Sequence, residues 1–184
     1  MERLFPLFRL PGLAFMLLAL IIAPAKAASS AEIDAEVDHT LSRFTKEVGG
    51  AEAFLKAAKG ALVLPKVYKA GFGIGGEYGE GALRIDGKTV DYYSTAAASF
   101  GFQLGGQVKS IIILFMQDDA LKKFRDSEGW KAGVDGSIAL VDIGAGRELS
   151  TQTIKDPIVA FIFDQKGLMY NLTLEGSKFT KLKK

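Results

Sequence analysis

The sequence predicts an α+β fold, in which N-terminal helices pack on a strongly curved, mostly antiparallel sheet or partial β-barrel. Residues 29–59 carry apolar side chains at helical spacing, whereas the chain after Gly60 consists of strand-like runs at roughly even intervals. One further helix is inserted near residues 117–126. Helices followed by many short strands are typical of a curved sheet covered by helices, and 184 residues suffice for a single domain with its own core.

The first 27 residues have the composition of a signal peptide. Two arginines precede an apolar run at 10–23, and small residues occupy the positions before Ala28. We therefore expect residues 1–27 to be removed by cleavage near Ala27, and residues 28–184 to form one domain in the periplasm or another exported location. The alternative is an uncleaved membrane anchor, although the run is shorter than the ~20 residues that span a bilayer.

The composition excludes several classes of protein. The chain has no cysteine, so it has neither a disulfide framework nor a lipid attached to cysteine. Removal of the first 27 residues takes away three of the 23 basic and one of the 21 acidic residues, which leaves 20 of each. Because general nucleic-acid binding requires a basic excess, we expect no nucleic-acid partner. Attraction to an anionic surface would have to come from local clusters of charge.

Three helices are predicted from periodicity and from the residues at their ends. The first covers residues 29–48, where Ser29 and Glu32 have the spacing of a capping box and apolar residues recur every three or four positions. A second, short helix covers 51–59 and is followed by a glycine. The third covers 117–125, with acidic residues at its start and basic residues near its end, an order that suits the helix dipole.

The rest of the chain is predicted to form strands. The run at 111–115 is apolar without alternation, which is typical of a strand buried on both faces at the centre of a sheet. Residues 158–164 and 168–175 are separated by a short turn and form the clearest hairpin. The other predicted strands are 61–64, a glycine-rich pair around 77–81, 88–93, 99–104, 108–116 and 134–143.

A glycine-rich segment at 69–88 contains the spacing G-x-G-x-x-G at Gly71, Gly73 and Gly76. A phosphate loop of this type must follow a strand and open a helix, whereas this segment ends in Asp86-Gly87, which is typical of a hairpin turn. We therefore interpret the segment as strands. Glycines on one face, with Phe72 and Ile74 on the other, indicate that backbone or a ligand packs closely against the glycine face.

Residues for common catalytic and metal sites are scarce. His39 is the only histidine, and without a second histidine or any cysteine it cannot complete a His/Cys metal cluster. The sequence contains neither a nucleophile elbow nor the kinase motifs. Paired carboxylates such as Asp118-Asp119 are explained by helix N-termini. We expect no enzymatic activity, no cofactor and no metal.

Five motifs, in order along the chain, resemble those of the SYLF domain, a lipid-binding module. The resemblance covers about residues 32–177, and it implies a lipid-binding function. Eukaryotic relatives bind phosphoinositides and act in membrane and actin-patch processes, and the signal sequence makes this chain similar to the exported bacterial type. The motifs are Lys59-Gly60 followed by Pro65, KAGFGIGGEYGEG at 69–81, SFGFQLGGQ at 99–107, AGVDGSIA at 132–139 and LEGS at 174–177.

The resemblance also implies where a lipid head group would bind. In eukaryotic members a basic amphipathic N-terminal helix contributes to head-group recognition, and the matching helix here keeps Arg43 and Lys46, preceded by four acidic residues. Lys59, Lys66 and Lys69 flank the start of the glycine-rich segment. The predicted lipid-binding residues are therefore Arg43, Lys46, Lys59, Lys66 and Lys69.

Three hypotheses for function follow from the sequence. The leading one is an exported lipid-binding protein that associates peripherally with anionic phospholipid or phosphoinositide-like head groups, by shallow insertion of apolar surface and by phosphate contacts. The second is a carrier or sensor that encloses a small apolar ligand within the curved sheet. The third is a structural envelope protein that acts through contacts with other proteins, whose identity the sequence does not indicate.

Overall fold

The computed structural model describes residues 28–142, 155–167 and 174–184, without the side chains of 99–104 and Asp142. The predicted signal peptide and most of the predicted strand 168–175 lie outside the described residues. The helices are α1 (Ser30–Glu47), α2 (Ala51–Ala57) and α3 (Asp118–Asp126). The strands are β1 (Gly60–Ile85), β2 (Lys88–Phe115), β3 (Trp130–Lys131), β4 (Ala139–Asp142), β5 (Ile158–Gly167) and β6 (Lys178–Leu182).

These strands form one six-stranded sheet organised around β2. The whole of β1 pairs with one edge of β2, while the other edge pairs with β6 along 92–96 and with β5 along 107–115. β3 extends the sheet beyond β6, and β4 runs parallel to β5; the remaining pairs are antiparallel. The predicted fold class, α+β with a strongly curved and mostly antiparallel sheet, is confirmed.

The two longest strands form a ribbon that folds back on itself. They are joined by Asp86-Gly87, whose φ angles of 50° and 74° are those of a tight hairpin turn, as predicted. A Cβ at Gly81 would lie 1.9 Å from the carbonyl oxygen of Val63, and one at Gly79 would lie 2.8 Å from that of Lys66. Glycine is therefore needed where the second half of β1 crosses the first half.

The bend between these halves is the ribbon tip, which we define as residues 70–76 of β1 and the paired residues 98–106 of β2. Gly73 has a φ of 72°, and the pairing register shifts between Phe72 and Ile74. A Cβ at Gly71 would lie 2.7 Å from the Cα of Gly75, so this glycine permits a sharp bend. The sequence predicted several short strands here; the bend and bulge are accommodated inside two continuous ones.

Apolar side chains cover both faces of the sheet. On the concave face, Phe124 of α3 packs between Phe115 at 4.8 Å and Trp130 at 5.7 Å, measured between ring centroids. On the other face, Phe44 of α1 and Phe54 of α2 pack edge-on against Phe161. Each fully buried ring of this kind stabilises the fold by roughly 1.5–3 kcal/mol.

The central run 111–115 has side chains at most 1% exposed and lies between β1 and β5. Ile111, Ile113 and Phe115 belong to the concave cluster, whereas Ile112 and Leu114 belong to the cluster under α1 and α2. The prediction of a central strand buried on both faces is thus confirmed.

One predicted strand is mostly wrong. Of its described residues, 134–142, only Ala139–Asp142 form a strand, because the chain turns at Gly133, whose φ is 81°. The carboxylate of Asp135 accepts a hydrogen bond of 2.6 Å from the backbone N–H of Lys131 and closes this turn. Conversely, β3 and β6 were not predicted, because each is short and depends on pairing with residues distant in the sequence.

The three described helices differ in length from 7 to 18 residues. No helix in residues 28–142, 155–167 or 174–184 has both the length and the apolar character needed to cross a membrane.

The predicted boundaries of α1 are correct to within two residues, because both halves of its capping box form. Ser29 N–H donates to Glu32 at 2.7 Å, and Glu32 N–H donates to the Ser29 hydroxyl at 3.3 Å.

Candidate functional site

An open groove runs between α1 and the beginning of β1. It consists of two adjoining cavities of about 610 and 650 Å³, which share Glu32, Glu36, Pro65 and Lys66 in their walls. We name it the helix–ribbon groove. Its two ends differ in chemistry, because one is formed by charged side chains of α1 and β5 and the other by apolar and aromatic side chains near the ribbon tip.

The charged end is organised by Arg43. Its guanidinium donates to Glu47 one turn later at 3.0 Å and to Asp164 of β5. These two partners raise the pKa of Arg43 further above its already high value, and the hydrogen bond from Arg43 lowers the pKa of Asp164. Asp164 has a left-handed φ of 53°, an uncommon backbone conformation that aspartate tolerates. Arg43 therefore serves mainly to hold α1 against β5.

Two lysines at the same end are less firmly held. Lys66 donates to Glu36 at 2.7 Å, and this hydrogen bond raises the pKa of Lys66, yet both side chains are about half exposed. Lys166 lies 3.2 Å from Asp164 and is 76% exposed. Exposed ion pairs of this kind contribute about 0–1 kcal/mol each. Both lysines can therefore exchange a carboxylate for another anion at little cost.

The opposite end of the groove is lined by Ile33, Tyr68, Tyr78 and Gly79. The Tyr78 hydroxyl donates to Glu80 at 2.7 Å, and its burial together with this hydrogen bond raises the pKa of Tyr78 to about 12. The phenol is therefore neutral at physiological pH. Lys184 also contacts Glu80, at 2.7 Å, which brings the end of the described chain to this edge of the groove.

A buried ion pair lies inside the folded ribbon, behind the groove. Lys109 of β2 donates to Glu77 of β1 at 3.0 Å, and their side chains are 0% and 5% exposed. The second carboxylate oxygen of Glu77 and the side-chain oxygen of Gln107 are buried without a hydrogen-bond partner in the described part of the chain. The pair joins the two halves of the ribbon on its inner face.

The structure brings together two of the five predicted lipid-binding residues. Arg43 and Lys66 both line the groove. Lys46 is exposed in the last turn of α1, and Lys59 lies elsewhere, 3.8 Å from Asp118 of α3. Lys69 is only 5% exposed, because odd-numbered residues of β1 around it face the inside of the ribbon.

Sequence reasoning missed Lys166, which also lines the groove, and Lys109, which is buried directly behind it. Nothing in the local sequence distinguishes them from other lysines. Lys166 enters the site because β5 pairs with β2 in a register that places it opposite Val108. A pairing between residues 58 positions apart cannot be read from local composition.

The groove gives no indication of a metal site. Within the described residues, no group of three or more histidine, cysteine, aspartate or glutamate side chains is arranged to hold a metal ion. His39 lines the groove, and two of the nearby carboxylates, Glu36 and Asp164, are already paired with cations. The expectations of no metal, no cofactor and no enzymatic activity stay predictions.

The fold and the groove define a small binding domain: a curved sheet with helices against it, and an open surface groove that carries paired charges at one end and apolar side chains at the other. Residues 96–184 match the family model Ysc84, described as "Las17-binding protein actin regulator", which is the SYLF domain. The resemblance to the SYLF domain that the motifs predicted is thus confirmed over residues 96–184. The match begins within β2 and leaves the motif at 69–81 outside its range. No curated protein sequence matches the chain.

Proposed function

We propose that this protein is an exported, non-enzymatic lipid-binding module that associates peripherally with anionic phospholipid surfaces. The family match supports the lipid-binding part, since the family is one of lipid-binding and actin-regulating domains. The observation that carries the proposal is the polarity of the helix–ribbon groove, because a phospholipid is itself charged at one end and apolar at the other. The family description also names Las17 binding and actin regulation.

Lys66 and Lys166 are the groove cations best placed to contact a lipid phosphate. Each is exposed, and each is paired with a carboxylate that contributes little to stability. A phosphodiester that approaches the groove replaces Glu36 or Asp164 as the partner, since its anionic oxygens accept charge-assisted hydrogen bonds of the same kind. Arg43 remains bonded to Asp164 and keeps the wall of the groove in place.

The first experiment is vesicle sedimentation with residues 28–184. Vesicles of phosphatidylglycerol mixed with phosphatidylcholine are compared with pure phosphatidylcholine, at low and high salt. We expect binding to the anionic vesicles that weakens with salt, because screening shortens the range of charge attraction. Equal binding to both vesicle types removes the electrostatic part of the proposal, and no binding to either overturns it.

Charge reversal in the groove tests the proposed cations. The double variant Lys66→Glu/Lys166→Glu is expected to bind the anionic vesicles at least about tenfold more weakly, since a surface-bound cation contributes about 1 kcal/mol. The matched control, Lys88→Glu/Lys131→Glu, makes the same change in net charge at exposed positions outside the groove. An equal loss in both variants would show that only the total charge matters.

The carrier hypothesis has less support from the described residues. An enclosed ligand requires a cavity inside the curved sheet, whereas the concave face is filled by the apolar cluster that includes Leu64, Tyr93 and Phe179. Native mass spectrometry of gently purified protein tests this alternative, because a carrier retains its ligand.

The proposed export has its own test: the mass of the protein recovered from producing cells is expected to correspond to cleavage near Ala27.

A further inference from the structure

The ribbon tip and its flanks expose apolar side chains to an unusual degree. Tyr68, Phe72, Ile74 and Tyr78 are 56%, 82%, 67% and 50% exposed, and they are four of the seven exposed large apolar residues in the described part of the chain. All four lie within eleven consecutive residues of β1. Single exposed apolar residues are ordinary, but a contiguous group marks an interaction site.

The outward direction of these side chains follows from the geometry of the ribbon. Even-numbered residues of β1 from 66 to 78 face outward, while Lys69 and Glu77 are buried on the inner face. Between positions 70 and 76 the outward side chains are Ala70, Phe72, Ile74 and Gly76, none of which is charged. The β1 side of the ribbon tip therefore presents an uncharged apolar surface.

The tip is also held in a defined shape. A Cβ at Gly71 would lie 2.7 Å from the Cα of Gly75, so the backbone is already closely packed inside the bend. The buried pair of Lys109 and Glu77 joins the two halves just behind the tip. An exposed apolar surface that is fixed in this way does not need to reorganise before it binds.

We propose that the ribbon tip is the element that penetrates the membrane, with Phe72 and Ile74 inserted among the upper parts of the lipid chains. This inference rests on the proposed lipid-binding function. Tyr68 and Tyr78 are placed at the level of the head groups, where amphipathic aromatic side chains concentrate. Tyr68 is four residues from Phe72, about 13 Å along an extended strand, and Lys66 follows two residues further back.

The position of the groove favours a lipid surface as the partner. Tyr68 and Tyr78 line the apolar end of the groove as well as the base of the tip, and Lys66 lies in the wall shared by both cavities. A protein inserted by its tip therefore holds the groove at head-group level, with its cations facing anionic lipid. Exposed apolar side chains with cations behind them match the layering of an anionic bilayer.

Site-specific fluorescence tests the insertion directly. Because the chain has no cysteine, single variants Phe72→Cys and Ile74→Cys can each carry one environment-sensitive label. We expect a severalfold rise in fluorescence on vesicles of phosphatidylglycerol and phosphatidylcholine, and quenching by lipids that carry a nitroxide on the acyl chain. The control is Val134→Cys, which is 75% exposed outside the tip and is expected to give no change. Labels at 72 and 74 that stay in water on bound protein overturn the inference.

A second pair of variants measures the contribution of the tip to binding. Phe72→Ser/Ile74→Ser is expected to lower partitioning into the same vesicles at least tenfold while the remaining binding keeps its dependence on salt. Val134→Ser, the control for loss of an exposed apolar side chain, is expected to bind normally. Normal binding by the tip variant overturns this inference alone, whereas failure of the unmodified protein to bind any vesicle overturns the proposed function with it.

The same labels distinguish a membrane from a protein partner. If the tip instead joins two copies of the chain, the label at 72 becomes protected as protein concentration rises in the absence of vesicles, and sedimentation velocity detects a dimer. That result overturns the inference. We expect a monomer-like signal from the label at every concentration until vesicles are added.

Discussion

Lys109 and Glu77 form an ion pair that is almost fully removed from water, at 0% and 5% exposure. Desolvation of two charges costs several kcal/mol, which the attraction between them offsets only when the geometry is good. One carboxylate oxygen of Glu77 has no hydrogen-bond partner within the described residues. The ion pair therefore contributes little net stability, and its main effect is to determine which residues of the two ribbon halves face each other. Loss of one partner leaves the other charged and buried.

Lys109→Met tests this argument because it removes the charge and keeps most of the side-chain volume. We expect the free energy of unfolding to fall by about 3–5 kcal/mol, as measured by urea denaturation. The double variant Lys109→Met/Glu77→Leu is expected to recover most of that loss, since no buried charge remains. The control is Lys122→Met, which removes an exposed lysine from its pair with Asp126 and is expected to change stability by less than about 0.5 kcal/mol.

Glycine is required at position 81 because another part of the backbone lies too close for a side chain, and not because of the conformational freedom of glycine. A Cβ there would lie 1.9 Å from the Val63 carbonyl oxygen, which is rigid backbone. We expect Gly81→Ala to destabilise the protein by about 3 kcal/mol or more, because the two halves of the ribbon must move apart. Gly76→Ala is the control, since a Cβ at Gly76 meets nothing within 4 Å. Equal thermal denaturation midpoints for the two variants would contradict the observed crossing of the ribbon.

At the scale of elements, α1 is attached to the sheet by apolar packing and by one charged contact. Phe44 and its neighbours supply the packing against Phe161 and Phe163, and Arg43 supplies the contact with Asp164. Because Arg43 lowers the pKa of Asp164, the stabilisation that this contact contributes depends on pH. The folded state binds the proton less tightly than the unfolded chain, whose carboxyl has a pKa near 3.8.

The expected pH dependence has a definite sign. The contact contributes fully above the unfolded pKa of 3.8 and is lost as the pH falls through the lower pKa of the folded protein. We expect Asp164→Asn, which tolerates the left-handed backbone, to be about 1 kcal/mol less stable than the unmodified protein at pH 7. The difference is expected to shrink below pH 3.8. Urea unfolding of both proteins from pH 7 to pH 3 measures it; a difference that grows on acidification would contradict the assignment.

For the whole molecule, β2 connects the two apolar clusters. Alternate residues of its run 111–115 contribute to the concave cluster and to the cluster under α1 and α2. Both clusters therefore depend on the same strand. If the packing on one face of the sheet unfolds, this strand is displaced and the residues that it contributes to the other face become exposed. We expect the described domain to unfold in a single cooperative transition.

Trp130 makes this prediction measurable, because it is the only tryptophan and lies in the concave cluster. Its fluorescence reports that face, whereas far-ultraviolet circular dichroism also reports α1, the longest of the described helices, on the other face. We expect both signals to give the same midpoint in urea, and Phe44→Ala to shift both together after a loss of about 3–5 kcal/mol. Separate transitions would show that the two faces unfold independently.

The elements that are specified by residues close together in the sequence were predicted well. The capping box of Ser29 and Glu32, the apolar spacing of α1, the uninterrupted run at 111–115 and the Asp86-Gly87 turn each specify their structure through residues within a few positions of one another. The glycine-rich segment was correctly assigned to strands. Close packing was correctly inferred at Gly71, Gly79 and Gly81, but not at Gly73, where a Cβ would meet nothing within 4 Å. The continuity of the segment through the bend was missed, because glycines and a bulge resemble breaks between strands.

Site residues were predicted less completely, and the reason is again distance along the chain. Lys66 and Lys69 are three positions apart, so they fall on opposite faces of β1, one in the groove and one inside the ribbon. Lys166 reaches the groove only through the pairing of β5 with β2. The sequence by itself determined the helices, the central strand, the hairpin turn and the resemblance to the SYLF domain. Only the tertiary structure decided which charges and which apolar side chains share one surface, because exposure depends on contacts between residues that are far apart in the sequence.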